Sequence, residues 1–182
     1  YGLSNNFELQ FHTPFTKERC FENNQLTSNI FKFEEMEFGA SVNLWKQNKI
    51  IPETAVMARL VLPTKNFNSN GFGNIISLNF SNVIWNNISL NYNVGSTTNL
   101  NKNTFGFYIV NFSYQSTNNL RFFIENSGMF NKNSESNCLG TGFGTNLSHS
   151  IGIDFSIAQS LKNNMFYSGA IITWVINTNK KG

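Results

Sequence analysis

The stretch Asn74–Gly95, NIISLNFSNVIWNNISLNYNVG, decides how the rest of the chain is read. In its first half Ile76, Leu78 and Phe80 alternate with Ser77, Asn79 and Ser81. In its second half Ile88, Leu90, Tyr92 and Val94 alternate with Ser89, Asn91 and Asn93. Successive side chains on a strand point to opposite faces, so this period of two predicts strands with one apolar and one polar side. The link between them is short, which predicts an antiparallel hairpin.

The same pattern extends in both directions. Phe7, Leu9 and Phe11 alternate with Glu8, Gln10 and His12, and Pro14 ends the run. Cys20–Glu35 reads as a long polar and aromatic connection. Phe38, Ala40, Val42 and Leu44 form one face of a second strand, and Val56, Ala58, Leu60 and Leu62 one face of a third that Pro63 stops. Beyond the central hairpin, Phe105–Tyr114 is apolar on both sides, and the expected outer face is Tyr108, Val110 and Phe112. Leu120, Phe122 and Ile124 mark a seventh strand and Leu139–Leu147 an eighth, with Gly140, Gly142 and Gly144 on one face. Ile151, Ile153, Phe155 and Ile157 mark a ninth, and Ala170, Ile172, Trp174 and Ile176 a tenth.

The connections alternate in length. Cys20–Glu35, Thr64–Gly73, Ser96–Asn103 and Gly128–Asn137 read as long loops, whereas Gln47–Pro52, Ser116–Asn119 and Ser148–Ser150 read as tight turns. About ten half-apolar strands of roughly ten residues match the length of tilted bilayer-spanning strands, about 9–11 residues. Short turns on one side and long loops on the other are the pattern of an outer-membrane barrel. The expectation is therefore an all-β chain, one domain over 1–182, folded as an antiparallel up-and-down transmembrane β-barrel.

Composition agrees. The chain of 182 residues is 40% hydrophobic but only 13% charged, against a usual charged share of roughly 25%, and Asn is its commonest residue. Nineteen Phe, five Tyr and three Trp argue against disorder, and the abundance of Asn, Ser, Thr and Gly argues against helices. The net charge of +3 is scattered, with no basic cluster that would read as a nucleic-acid surface. A soluble β-barrel would also alternate, with its apolar face inward. The polar face here, however, carries uncharged Asn and Ser. Aromatics such as Phe11, Tyr92, Tyr114, Tyr167 and Trp174 fall near strand ends, as interfacial girdles would.

Several segments together resemble the MetA-pathway of phenol degradation family of transporter-like outer-membrane proteins. They are Tyr1-Gly2-Leu3 with Phe7-Glu8-Leu9, Ile51–Val56 running to Leu62-Pro63-Thr64, Leu90–Gly95, Phe123-Ile124-Glu125, Ile153-Asp154-Phe155 and Ser168-Gly169-Ala170. Two positions depart from the family pattern, Ser41 where Lys is frequent and Thr173-Trp174 where Arg and an aromatic are frequent. The resemblance implies a Gram-negative outer membrane, about twelve strands in the complete protein, and a strand pair preceding the present N-terminus. It implies a channel or transporter for small, hydrophobic or aromatic solutes, with outer-membrane lipid as its surroundings, no cofactor and no enzymatic activity. The alternative functions are a plugged accessory barrel within a larger outer-membrane assembly and a soluble barrel that binds an apolar ligand.

The chemistry lies in charges placed singly on polar faces. Glu8, Arg59, Arg121, Glu125 and Asp154 share parity with Asn, Ser or Gly positions, so a closed barrel turns them into the lumen. One reading is a constriction built from Arg59, Arg121, Glu125 and Asp154 that sets selectivity; the other is an ion-pair network that fills a narrow barrel. Cys20 and Cys138 both follow odd strands, so a disulfide between loops and two free thiols are both open. Two Cys and two His have no metal-ligand spacing. Ser148, His149, Ser150 and Asp154 invite a hydrolase reading, but neighbours on a strand point apart and no G-x-S-x-G occurs.

Overall fold

The computed structural model of the chain describes residues 2–4, 6–13, 15–22, 25–33, 35–64, 71–148, 151–162 and 166–174, with only the backbone described for 2–4, 15–22, 25–33 and 174. Among these residues the secondary structure is β throughout. The strands are β1 (Gly2–Ser4), β2 (Phe7–His12), β3 (Phe15–Glu22), β4 (Gln25–Phe33), β5 (Met36–Trp45), β6 (Glu53–Leu62) and β7 (Gly73–Trp85). They continue with β8 (Ile88–Thr98), β9 (Thr104–Gln115), β10 (Leu120–Phe130), β11 (Glu135–Asn146), β12 (Ile151–Ser160) and β13 (Phe166–Trp174). Ten of them, β2 and β5 to β13, run up and down in chain order as one antiparallel sheet, and β1 adds to the outer edge of β2. These ten are the strands that the alternation predicts.

The register keeps the two faces separate across the sheet. Phe7, Val42, Val56, Leu78, Val94 and Tyr108 stand opposite one another in a single cross-strand row. The next row holds Glu8, Ser41, Met57, Ser77, Gly95 and Phe107. A slip of one residue would exchange the two sets, so the hydrophobic pattern itself specifies the register. On β9 the ladder puts Tyr108, Val110 and Phe112 opposite Val94, Tyr92 and Leu90, on the apolar side as expected.

Several boundaries differ from the sequence reading. The connection Cys20–Glu35 is not a plain loop: β3 and β4 form a separate antiparallel hairpin there. Its Thr, Ile and Phe content favours strand, but without regular alternation the run gives no period to read. Gly128–Asn137 is mostly strand, because β10 runs on to Phe130 and β11 begins at Glu135, whereas Ser96–Asn103 becomes loop from Asn99 on, because β8 runs to Thr98. A glycine weakens a strand, and an aromatic ring laid over it restores the lost contact. A methyl group at Gly128 would meet the Tyr108 ring on the neighbouring strand, which shows how closely that ring covers it. Tyr167 pairs with Ala158, a polar-side position opposite Gly140, and so does not join an outer aromatic girdle. Ile176 lies outside the described residues.

Exposure is inverted relative to a soluble protein. On β7, Ile76 and Leu78 are 53% and 42% exposed while Ser77 between them is 2% exposed. On β9, Phe112 and Tyr114 are 43% and 44% exposed and the intervening Ser113 is 3%. The polar side chains shelter one another through hydrogen bonds: Ser77 Oγ to Asn79 Oδ1, Ser81 Oγ to Asn91 Oδ1, and Ser113 Oγ to Asn111 Oδ1. Among the described residues no buried side-chain nitrogen or oxygen lacks a partner. The sheet is open among those residues, with β1 and β13 at its two edges.

Candidate functional site

The polar face carries the charges. Glu8, Arg59, Arg121, Glu125 and Asp154 all stand on it, and so do His12, Glu37 and Glu53. They do not meet in one cluster. Arg59 and Arg121 belong to rows that cross β9 at Phe105 and at Gln115, ten residues apart. That separation is roughly 33 Å along the strand, beyond the reach of any side chain.

Two bridges form instead, on one plan. Near the long-loop end, the row Gln10–Gly39–Arg59 crosses β2, β5 and β6. Arg59 Nε donates to Gln10 Oε1 at 2.9 Å, over the strand that carries Gly39. Its Nη1 donates to Glu37 Oε2 at 2.9 Å, and His12 Nδ1 lies 3.4 Å from the same oxygen. At the short-turn end the row Arg121–Gly144–Asp154 crosses β10, β11 and β12. Arg121 Nη2 donates to Asp154 Oδ1 at 2.7 Å, again over a glycine. Each glycine is needed for space. A methyl group at Gly39 would lie against Ala58 O and Arg59 Cγ, and one at Gly144 against Asp154 Oδ1. Charge-assisted bonds of this kind are the short, strong ones.

The remaining carboxylates are held by amides. Asn111 Nδ2 donates to Glu125 Oε2 at 3.3 Å, Asn43 Nδ2 to Glu53 Oε1 at 3.0 Å and Gln10 Nε2 to Glu8 Oε2 at 3.3 Å. Glu125 therefore takes no part in the Arg121 bridge, although the two lie on one strand face. Apolar groups share this side: the Phe107 ring covers Gly95 and the Phe123 ring Gly142, with the Arg121 guanidinium 5.9 Å from the centre of the Phe123 ring.

Two hollows adjoin these rows. A polar recess of about 820 Å³ opens at the short-turn end, lined by Gln115, Asn119, Arg121, Asn146, Asp154 and Thr173 among others. On the apolar side a hollow of about 660 Å³ lies among Phe122, Phe143, Phe155 and Ile157, with the smaller Thr141 and Ala170 leaving the space.

Cys138 lies within β11, on the polar face opposite Ser127 and Ser160, and its thiol is free. A free thiol at Cys138 leaves the disulfide with Cys20 unformed; the side chain of Cys20 itself lies outside the described residues. His149 and Ser150 also lie outside them, while Ser148 Oγ accepts a bond from the Ile151 amide at 3.1 Å and so serves the turn.

No protein-family model matches this chain, and no curated protein matches it.

Gln10, His12, Glu37, Glu53 and Asn111 extend the set read from sequence. The parity of Gln10, His12, Glu37 and Asn111 was legible from the apolar residues beside them, whereas Glu53, between Pro52 and Thr54, carried no such signal. The partners of all five were not legible, because these depend on cross-strand register.

Proposed function

We propose that this chain forms the wall of an outer-membrane β-barrel that admits small solutes through a polar interior. The inverted exposure carries the reading: long apolar rows face outward while serines and asparagines are sheltered. An exposed apolar face of this extent has no place in water, whereas in hydrocarbon it is the favourable side. A soluble barrel around an apolar ligand would need the same rows on the inside. Backbone groups in lipid require closed hydrogen bonding, so the outer edges of β1 and β13 must be covered. The family resemblance implies a further strand pair that would do this. The same resemblance favours solutes of small, apolar or aromatic kind.

A second reading, an accessory barrel filled by its own side chains, draws on Phe105, Phe107, Ile109 and Phe123, which occupy the polar side. Conductance separates the two. Reconstituted in planar bilayers, the full-length gene product should give discrete current steps if it is a passage and none if it is plugged. The membrane assignment has its own test. Leu78→Arg should lower membrane insertion or stability by about 2–4 kcal/mol, the cost of a cation on the lipid face near the midplane. Unchanged stability of Leu78→Arg in lipid vesicles would refute the outward assignment of that row.

A further inference from the structure

We infer that the polar face favours cations over anions, and that Glu53 and Glu125 set this preference. The inference rests on the passage reading above and adds the class of solute that the interior accepts most readily.

On the ten-stranded sheet the polar face carries five carboxylates, on Glu8, Glu37, Glu53, Glu125 and Asp154, against the two guanidiniums of Arg59 and Arg121. The surplus of three negative charges, with His12 neutral, opposes the net charge of the whole chain, which is +3. Of the described lysines, Lys17 and Lys32 lie in the separate β3–β4 hairpin, and Lys46, Lys49, Lys102, Lys132 and Lys162 lie in connections between strands. Glu135, the remaining charged residue of the ten-stranded sheet, stands on the apolar side at the loop end and takes Lys162 Nζ at 2.6 Å. The sign of the polar face is thus set locally and not by overall composition.

Both guanidiniums are already engaged, Arg59 with Glu37 and Gln10, Arg121 with Asp154. Glu53 and Glu125 differ from the acids they hold. Each accepts an asparagine amide, and among the described residues no cationic side chain lies within ion-pair distance of either. They share one cross-strand row, Glu53–Ser81–Asn91–Asn111–Glu125, whose other members are neutral. The row spans five strands, about 19 Å along the sheet, so the two acids do not form a binding cluster. They act as a field. Low-dielectric walls focus such fields, and a lining of carboxylates selects cations. A solute crossing this row meets two uncompensated negative charges and a set of amides and hydroxyls that bond to either sign.

The test is the reversal potential of the full-length gene product in planar bilayers across a KCl gradient. The expected permeability ratio of potassium to chloride is at least about threefold in low salt, where screening is weak. The double variant Glu53→Gln and Glu125→Gln retains the shape and the amide contacts but removes two of the three surplus charges, so its ratio should fall toward one. Glu53→Asp should keep the preference, and Glu135→Gln, on the opposite face, should leave it unchanged. A wild-type pore with no preference, or with a preference for chloride, overturns the inference while leaving passage intact. The same holds for a double variant with the wild-type ratio. A chain that inserts, folds and passes no ion overturns the passage reading itself, and the inference with it.

Discussion

The bridges at Arg59 and Arg121 use the same parts with different surroundings. Each spans a glycine to reach a carboxylate or amide on the far strand. Arg59 is the more enclosed, 25% exposed with Glu37 at 17%, and it has two acceptors. Arg121 is 43% exposed with Asp154 at 29%, and it borders the polar recess near the β13 edge. The strength of an ion pair depends on how much water each partner has lost and on what remains if one is removed. One motif therefore serves as a tie across β2, β5 and β6 and as a looser contact across β10, β11 and β12.

The largest expected contrast follows from removing the arginines. Arg59→Ala leaves a sheltered Glu37 with only His12 beside it among the described residues and strands Gln10, and should lower stability by about 2–3 kcal/mol. Arg121→Ala should lower it by about 1 kcal/mol or less, because solvent can reach Asp154. Urea unfolding from lipid vesicles, followed by tryptophan fluorescence, would measure both. Equal losses would show that the two bridges do not differ in strength.

The glycines offer a finer contrast. At Gly39 the obstruction to a methyl group includes a backbone oxygen, which cannot swing aside; at Gly144 it is the end of the Asp154 side chain, which can. Gly39→Ala should cost about 1–3 kcal/mol through overpacking, and Gly144→Ala less than about 1 kcal/mol. The second change should act mainly by parting Arg121 from Asp154. A double-mutant cycle of Gly144→Ala with Asp154→Asn would then show strong coupling, and simple additivity would refute the arrangement.

The smallest effect concerns the aromatic support of Arg121. Phe123→Leu keeps an apolar cover over Gly142 but removes the ring beneath the guanidinium, a loss of about 0.5–1 kcal/mol. Arg59 has no such ring among its described contacts, so no equivalent loss is expected there. A stability equal to wild type for Phe123→Leu would show that the 5.9 Å approach contributes nothing.

The set of strands, their faces and the side on which charges stand were all legible in the order of residues alone. Those follow from local geometry: a period of two sends Ile76 and Ser77 to opposite sides whatever the neighbouring strand does. The same logic placed Glu8, Arg59, Arg121, Glu125 and Asp154 on one face before any pairing was known. Which of them meet depends on how the strands pair. A side chain finds its cross-strand partner through register, and register accumulates over every turn length and bulge, including those between Asn43 and Trp45 and between Val83 and Trp85. Hence the single cluster of four expected from parity separates into two bridges about ten residues apart along β9, with Glu125 held by Asn111 instead. The β3–β4 hairpin and the reach of β10 through Gly128 were hidden for a related reason. Irregular or glycine-bearing segments become strand only when a neighbouring strand, or a ring such as that of Tyr108, supplies the contacts their own sequence lacks.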